Sequence, residues 1–346
     1  MGDQYFVASK GVLGLKTNLK EFKWSFGLNM PLMTRQEYDD CVIRLNLDVG
    51  PTRILPQNAN LGKYHYFVGS PEEDALYYRR PFFLNKPLEV DFEGLLSDEP
   101  HVTANKMYYR FVRYRFMNLH SIGYILTDIA VFLLLKHGYA PLHCSAFRKG
   151  DATVVIFAPP NTGKTISTMM ACMEHGAEFL AEDLAITDGR TLYAVPWTST
   201  FRYYSRVEKS LLARTANTLT RIFSPLELIL ARKAKPISAY VESEKICEQA
   251  KITHLAILER GTTSVQRVTQ QEAYRKILNL NRFEFNYQKA PLLVAYEFFN
   301  PSLNLAGACE MEQNILAELT DNIGERLVVR TDDATRYASL ILGEIT

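Results

Sequence analysis

Apolar residues at Ile122, Ile125, Leu126, Ile129, Phe132 and Leu133 recur at the spacing of one helix face, and they predict a helix over 121–137. The pattern before it is shorter in range. Runs such as 64–68 and 106–112 alternate with Pro and Gly turns and read as strands, so residues 1–118 are expected to form a smaller, mostly β domain. The helix is read as a core element bridging that domain to the rest. After it, 142–148 and 153–157 read as two strands around a turn at Lys149-Gly150-Asp151. A two-residue turn would pair 149 with 152 and 148 with 153, and the same count places His143 opposite Ala158. Ile166, Met169, Met170 and Met173 then follow helical spacing from Gly163, with Gly176 at the position of a C-terminal cap. Phe179-Leu180-Ala181 reads as a strand, and Asp188-Gly189 as a hairpin turn into a strand over 191–195. Residues 251–346 alternate strands and helices, including a strand at 255–258 and a last helix near 334–342. The chain is therefore expected to be α/β, with a second domain over 119–346 built on a mixed central sheet.

Composition narrows the function classes. The formal net charge of +1 gives no long-range attraction to nucleic acid or to acidic membranes, so neither is expected as a partner. The five cysteines are scattered and form no C-x-x-C, which argues against a disulfide framework or a zinc site and fits a reducing compartment. The N-terminus lacks the layout of a signal peptide, and the apolar run 129–135 is far shorter than the ~20 residues that span a bilayer. A cytoplasmic location is expected. One segment stands apart: residues 201–235 carry eight Lys or Arg against two acids. They read as a solvated helical face, or as a dock for an acidic partner.

The candidate chemistry begins where the strand 153–157 runs into Ala158-Pro159-Pro160-Asn161-Thr162-Gly163-Lys164-Thr165. A phosphate loop needs a strand entering it, backbone N–H groups turned inward and a helix leaving it with its positive end on the anion. All three are legible here. Lys164 would reach the terminal phosphates and Thr165 would offer its hydroxyl to Mg²⁺. The pattern's first glycine is replaced by Ala158. Pro159 and Pro160 stiffen the loop, and Asn161 stands where a positive φ is plausible, a conformation Asn tolerates better than other non-glycine residues. Downstream, Glu182 and Asp183 follow an apolar strand in a Walker B arrangement, which can place one carboxylate on a metal and the other on the proton of an attacking hydroxyl. Neighbouring strand residues face opposite ways, so both can act only if the strand ends or bends there.

Three strings, PLHCSAF with His143, APPNTGKT, and FLAEDLAI with Glu182 and Asp183, together resemble HPr kinase/phosphorylase and its looser relatives in the phosphoenolpyruvate carboxykinase-like superfamily. The close resemblance covers about 140–195 and includes a histidine fifteen residues before Ala158. It implies an HPr kinase-like P-loop domain and an ATP-dependent kinase acting with Mg²⁺ on a hydroxyl of a peptide or protein, serine by default. It further implies phosphate contacts from Lys164, metal binding by Thr165 and Glu182, Asp183 as base, and His143 assisting at the phosphate. Homo-oligomers are common among such proteins. The sequence departs from the family at Ala158, at Glu182-Asp183 in place of Asp-Asp one residue nearer the loop, and at 196–202, where a glycine-rich signature is missing. Neither the phosphorylase activity nor HPr as substrate is therefore carried over. Two alternatives stay open: a kinase for a small metabolite such as a sugar or amino acid, and a nucleotide-binding regulator with little catalysis.

Overall fold

A computed structural model of the chain describes residues 2–24, 29–53, 66–70, 74–113, 119–198 and 237–345. Mixed sheets and helices make it an α/β protein. The basic run 201–235 and the first residues of the expected strand at 64–68 lie outside the described residues.

The chain divides into two compact units, one of Met1–Pro141, Ile186–Gly189 and Asn281–Glu318, the other of Leu142–Ala185, Arg190–Leu280 and Leu319–Thr346. The first unit thus continues past the expected boundary at 118 and takes in the helix over 121–137. It does so because that helix buries apolar residues on almost every side, and a helix of this kind cannot serve as an exposed linker.

In the first unit the strands are β1 (Gln4–Ser9), β2 (Leu13–Thr17), β3 (Ile43–Val49), β4 (Tyr66–Ser70), β5 (Ala75–Pro81), β6 (Pro87–Glu93) and β7 (His101–Ala104). They form one mixed sheet in the order β1-β2-β3-β7-β6-β5-β4. Leu15, Ile43, Leu45, Leu47, Leu76, Val90 and Val102 alternate onto its buried face. The helices are α1 (Arg35–Asp39), α2 (Lys106–Phe111) and α3 (Ile122–Lys136). Thr34 and Glu37 close a capping box on α1. Ser121 caps α3, and Trp24 Nε1 donates to Thr127 Oγ1 at 2.9 Å, tying the N-terminal segment to that helix.

The stretch 106–112, expected as a strand, is α2. Its aromatic content favours strand, but the Asn105 side chain accepts from the Tyr108 N–H at 2.8 Å and starts a helix. The buried Tyr108 then donates its hydroxyl to the carbonyl of His120 at 2.7 Å, so tertiary contacts outweigh propensity.

Further along are β8 (Ala140–Leu142), β9 (Ser145–Lys149), β10 (Ala152–Phe157), α4 (Lys164–Met173), β11 (Glu178–Ala181), β12 (Ala185–Thr187), β13 (Thr191–Ala194), β14 (Gln249–Lys251), β15 (His254–Glu259), β16 (Ser264–Arg267), α5 (Gln270–Glu284), α6 (Pro291–Phe299), α7 (Leu305–Asp321), β17 (Glu325–Arg330) and α8 (Tyr337–Ile345). The second unit is built on a six-stranded sheet in the order β11-β9-β10-β15-β17-β16. Strands β10, β15 and β17 run parallel at its centre, while β9, β11 and β16 are antiparallel to their neighbours. Phe147, Val154, Ile156, Phe179, Ala256, Leu258, Leu327 and Val329 pack beneath α4 and α8 with Met169, Ala338 and Ile341. The central strands read as unbroken apolar runs because helices cover the sheet.

The hairpin register read from the turn is the observed one: Lys149 pairs with Ala152, Arg148 with Thr153, and the ladder continues to Ser145 with Ile156. The single strand expected over 142–148 is broken. It stops at Leu142 and restarts at Ser145, leaving His143 and Cys144 outside the ladder. The last helix begins as a short 3₁₀ turn at Ala334–Arg336 and continues as α8.

Candidate active site

The parallel strand β10 delivers the phosphate-type loop at the C-terminal edge of the sheet, where α/β proteins place ligands. Asn161 adopts φ 62°, the left-handed conformation its side chain was expected to permit. Ala158 is fully buried in the core, so the first loop position serves packing, and its methyl group meets no conformational bar. Gly163 takes φ 137° immediately before α4. A Cβ there would lie 3.1 Å from Ala334 Cβ and 3.3 Å from the Tyr337 ring, so the loop's second glycine is required both by its backbone and by the segment packed on it.

Lys164, the first residue of α4, is buried, and its Nζ donates to the carbonyl oxygen of His143 at 3.4 Å. That carbonyl is available because the chain leaves the ladder at His143. Thr165 Oγ1 donates to Glu182 Oε1 at 2.8 Å, which joins the loop to the acid pair. Thr198 Oγ1 donates to the Glu182 carbonyl at 3.3 Å and to the Val195 carbonyl at 2.8 Å, holding the backbone behind that carboxylate.

The acid pair meets the geometric condition it needs. Strand β11 carries a bulge, pairing Phe179 with Phe147 and then Ala181 with Ala146. It ends at Ala181, and Asp183 adopts φ 77°. The left-handed residue turns the second acid out of the strand alternation. Glu182 is buried against Thr165, whereas the Asp183 side chain is 61% exposed, and its Oδ1 lies 3.6 Å from Nδ1 of His143. One carboxylate is thus committed to the hydroxyl of the loop, and the other faces solvent beside an imidazole. Backbone strain of this kind is commonly kept at functional sites.

Cys144 lies within electrostatic reach of both Lys164 and Asp183, but burial pushes its thiol up to about 12. It stays protonated and is no nucleophile.

Arg260 was not singled out from the sequence. It follows β15, the parallel neighbour of β10, and its Nη2 donates to the Asn161 carbonyl at 3.0 Å, bracing the loop at its left-handed residue. The pairing of two parallel strands was the signal that finds it, and only the tertiary structure supplies that pairing. Its neighbour Glu259 accepts from Lys276 Nζ at 2.6 Å and from Arg330 Nε at 2.7 Å, while the Tyr337 hydroxyl donates to its carbonyl at 2.6 Å. The hydrogen bond from Lys276 is the first cause that holds the Glu259 carboxyl below its ordinary range. A depressed folded value means the stabilisation is complete above the unfolded carboxyl range and is lost as pH falls through the folded value. Glu259→Gln should therefore cost about 1–3 kcal/mol at neutral pH, and the gap should close in acid. Urea unfolding of both chains between neutral and acid pH checks this.

The donor set suits a Mg²⁺–nucleotide. Magnesium is held through one or two protein oxygens plus waters and phosphates, which Thr165 and Glu182 can supply, with Lys164 as the counter-charge. Among the described residues, no group of three or more His, Cys, Asp or Glu forms a self-sufficient metal cage. No helix among them is long and apolar enough to cross a membrane.

No protein-family model matches this chain, and no curated protein matches it. The functional reading therefore rests on the site itself.

Proposed function

We propose that this protein is an HPr kinase-like, ATP-dependent kinase that transfers the γ-phosphate to a hydroxyl of a peptide or protein substrate. The observation that carries the reading is the division of labour in the acid pair: Glu182 is held on Thr165, while Asp183 is turned into solvent beside His143. The order of hairpin, loop, helix and bulged strand supports an HPr kinase-like core, because it brings His143 to the loop and to the acid pair together.

Lys164 and the first N–H groups of α4 face the position of the terminal phosphates and offset the charge that develops there. Mg²⁺ bound with the nucleotide supplies further charge neutralisation, and Thr165 and Glu182 would hold it. Asp183 accepts the proton of the attacking hydroxyl as the oxygen–phosphorus bond forms and the bond to ADP breaks. His143 positions that carboxylate through its Nδ1 and would assist at the transferred group. ATP and Mg²⁺ are the expected cofactors, and an accessible Asp183 is what a macromolecular hydroxyl requires.

Incubating the protein with γ-labelled ATP and a cell lysate should label a discrete protein band by a route that needs Mg²⁺. Label appearing only in small molecules would reassign the acceptor to a metabolite. ATP binding with no transfer to any acceptor would reassign the protein to the nucleotide-binding regulators.

A further inference from the structure

In the first unit, the connection between β5 and β6 and the end of α2 meet in an exposed apolar tip. Phe82, Phe83, Leu84 and Phe111 are 43%, 70%, 78% and 55% exposed, and the rings of Phe82 and Phe111 stand 5.7 Å apart. Side chains of this size turned to water in one cluster mark an interaction site. The tip is also strained. Leu84 sits at φ 52° and ψ 44°, a left-handed conformation that a leucine adopts only at a cost, and its side chain is turned to solvent there.

The surroundings are basic. Residues 79–88 and 106–113 contain six Lys or Arg and no acid, in a chain whose net charge is only +1. Lys86, Lys106, Arg110 and Arg113 are exposed, and none is ion-paired with a described residue. Lys86 and Lys106 are brought together by Asn105, which donates to the Pro87 carbonyl at 2.9 Å. Glu89 accepts from Tyr77 at 2.7 Å, Asn105 at 2.9 Å and Thr52 at 3.2 Å and pairs with Arg79 at 3.6 Å, so it offsets one of the six charges and leaves Lys86, Lys106, Arg110 and Arg113 to the tip.

We propose that this tip is a peripheral membrane-docking site, in which Phe82, Phe83, Leu84 and Phe111 enter an anionic lipid surface while the surrounding Lys and Arg side chains meet the headgroups. Two features select a bilayer. The charges complement anionic headgroups at the depth where exposed rings reach the acyl boundary. The apolar residues also project from a turn, and a bilayer takes a projecting tip with no matching cavity, whereas a protein partner must present one. The expectation of no membrane contact rested on net charge and on membrane spans, and neither quantity reports a local patch.

The test is co-sedimentation of the full chain with vesicles of phosphatidylcholine alone or mixed with phosphatidylserine. The chain should sediment with the mixed vesicles, weakly with the neutral ones, and less at high salt. Phe83→Ser combined with Leu84→Asn should weaken that binding by about tenfold or more. Asn is at ease in the left-handed conformation, so this variant should melt no lower than the parent, which separates lost docking from lost folding. Arg110→Glu with Arg113→Glu should weaken binding to the mixed vesicles as well. Failure to bind mixed vesicles overturns the proposal, as does equal binding to both vesicle types or undiminished binding by either variant. Self-association abolished by the Phe83/Leu84 changes, without vesicle binding, would give the tip to a second copy of the chain. Capture by polyglutamate but not by vesicles would give it to an acidic protein. Either outcome overturns the membrane assignment.

Discussion

Asp183→Asn should lower the rate of phosphoryl transfer by about 10²–10⁴-fold while leaving ATP affinity within a few-fold of the parent, because a general base acts on the proton and not on nucleotide binding. The substitution suits the site for a structural reason. Asp183 occupies φ 77°, and Asn tolerates that conformation as well as any residue except glycine, so the turn after β11 should be kept. Thermal melting should show an unchanged or slightly raised midpoint. Lys164→Met provides the contrast. It removes the buried counter-charge and should cost about 3 kcal/mol of ATP affinity, roughly two orders of magnitude, without unfolding a chain from which it removes a desolvated ammonium. Turnover by Asp183→Asn within about threefold of the parent would exclude the base assignment.

Gly163→Ala should be the most damaging single-methyl change in the second unit, costing about 3 kcal/mol of stability. Two costs combine. A φ of 137° is closed to L side chains, and the new methyl group would lie 3.1 Å from Ala334 Cβ and 3.3 Å from the Tyr337 ring. Gly150→Ala separates them, since Gly150 also has a positive φ, 58°, but no atom beyond its chain neighbours would lie within 4 Å of a Cβ there. It should cost only about 1 kcal/mol. Equal losses in the two variants, read from denaturant midpoints, would show that packing of the C-terminal segment on the loop contributes nothing. The same packing explains why a sequence motif that usually concerns phosphate also constrains the last helix of the chain.

Much of the site was legible in the chain. The β9–β10 register followed from a two-residue turn, because antiparallel pairing fixes every later pair once one is known. The left-handed Asn161 followed from the steric tolerance of its side chain, and α4 from apolar spacing behind Gly163. Local rules sufficed for these because each depends on residues within a few positions of one another. The reading failed where distant contacts decide. The stretch 106–112 has the composition of a strand but is a helix, capped by Asn105 and anchored through Tyr108 to His120. The strand expected over 142–148 breaks at His143, which releases a carbonyl to Lys164 twenty-one residues away.

The sequence by itself determined the phosphate-type loop, its helix and the presence of an acid pair, since these are written in contiguous residues whose backbone preferences are strong. It also determined that the cysteines form no evident framework; all five are free thiols. Tertiary structure alone decided which acid is buried on Thr165 and which is turned out beside His143. The bulge in β11 and the turn at Asp183 are set by pairing with β9 and by the Thr165 hydroxyl, and no neighbour-by-neighbour rule specifies them. It likewise decided that Arg260 braces the loop, because only the parallel pairing of β10 with β15 brings residues a hundred positions apart to one edge of the sheet.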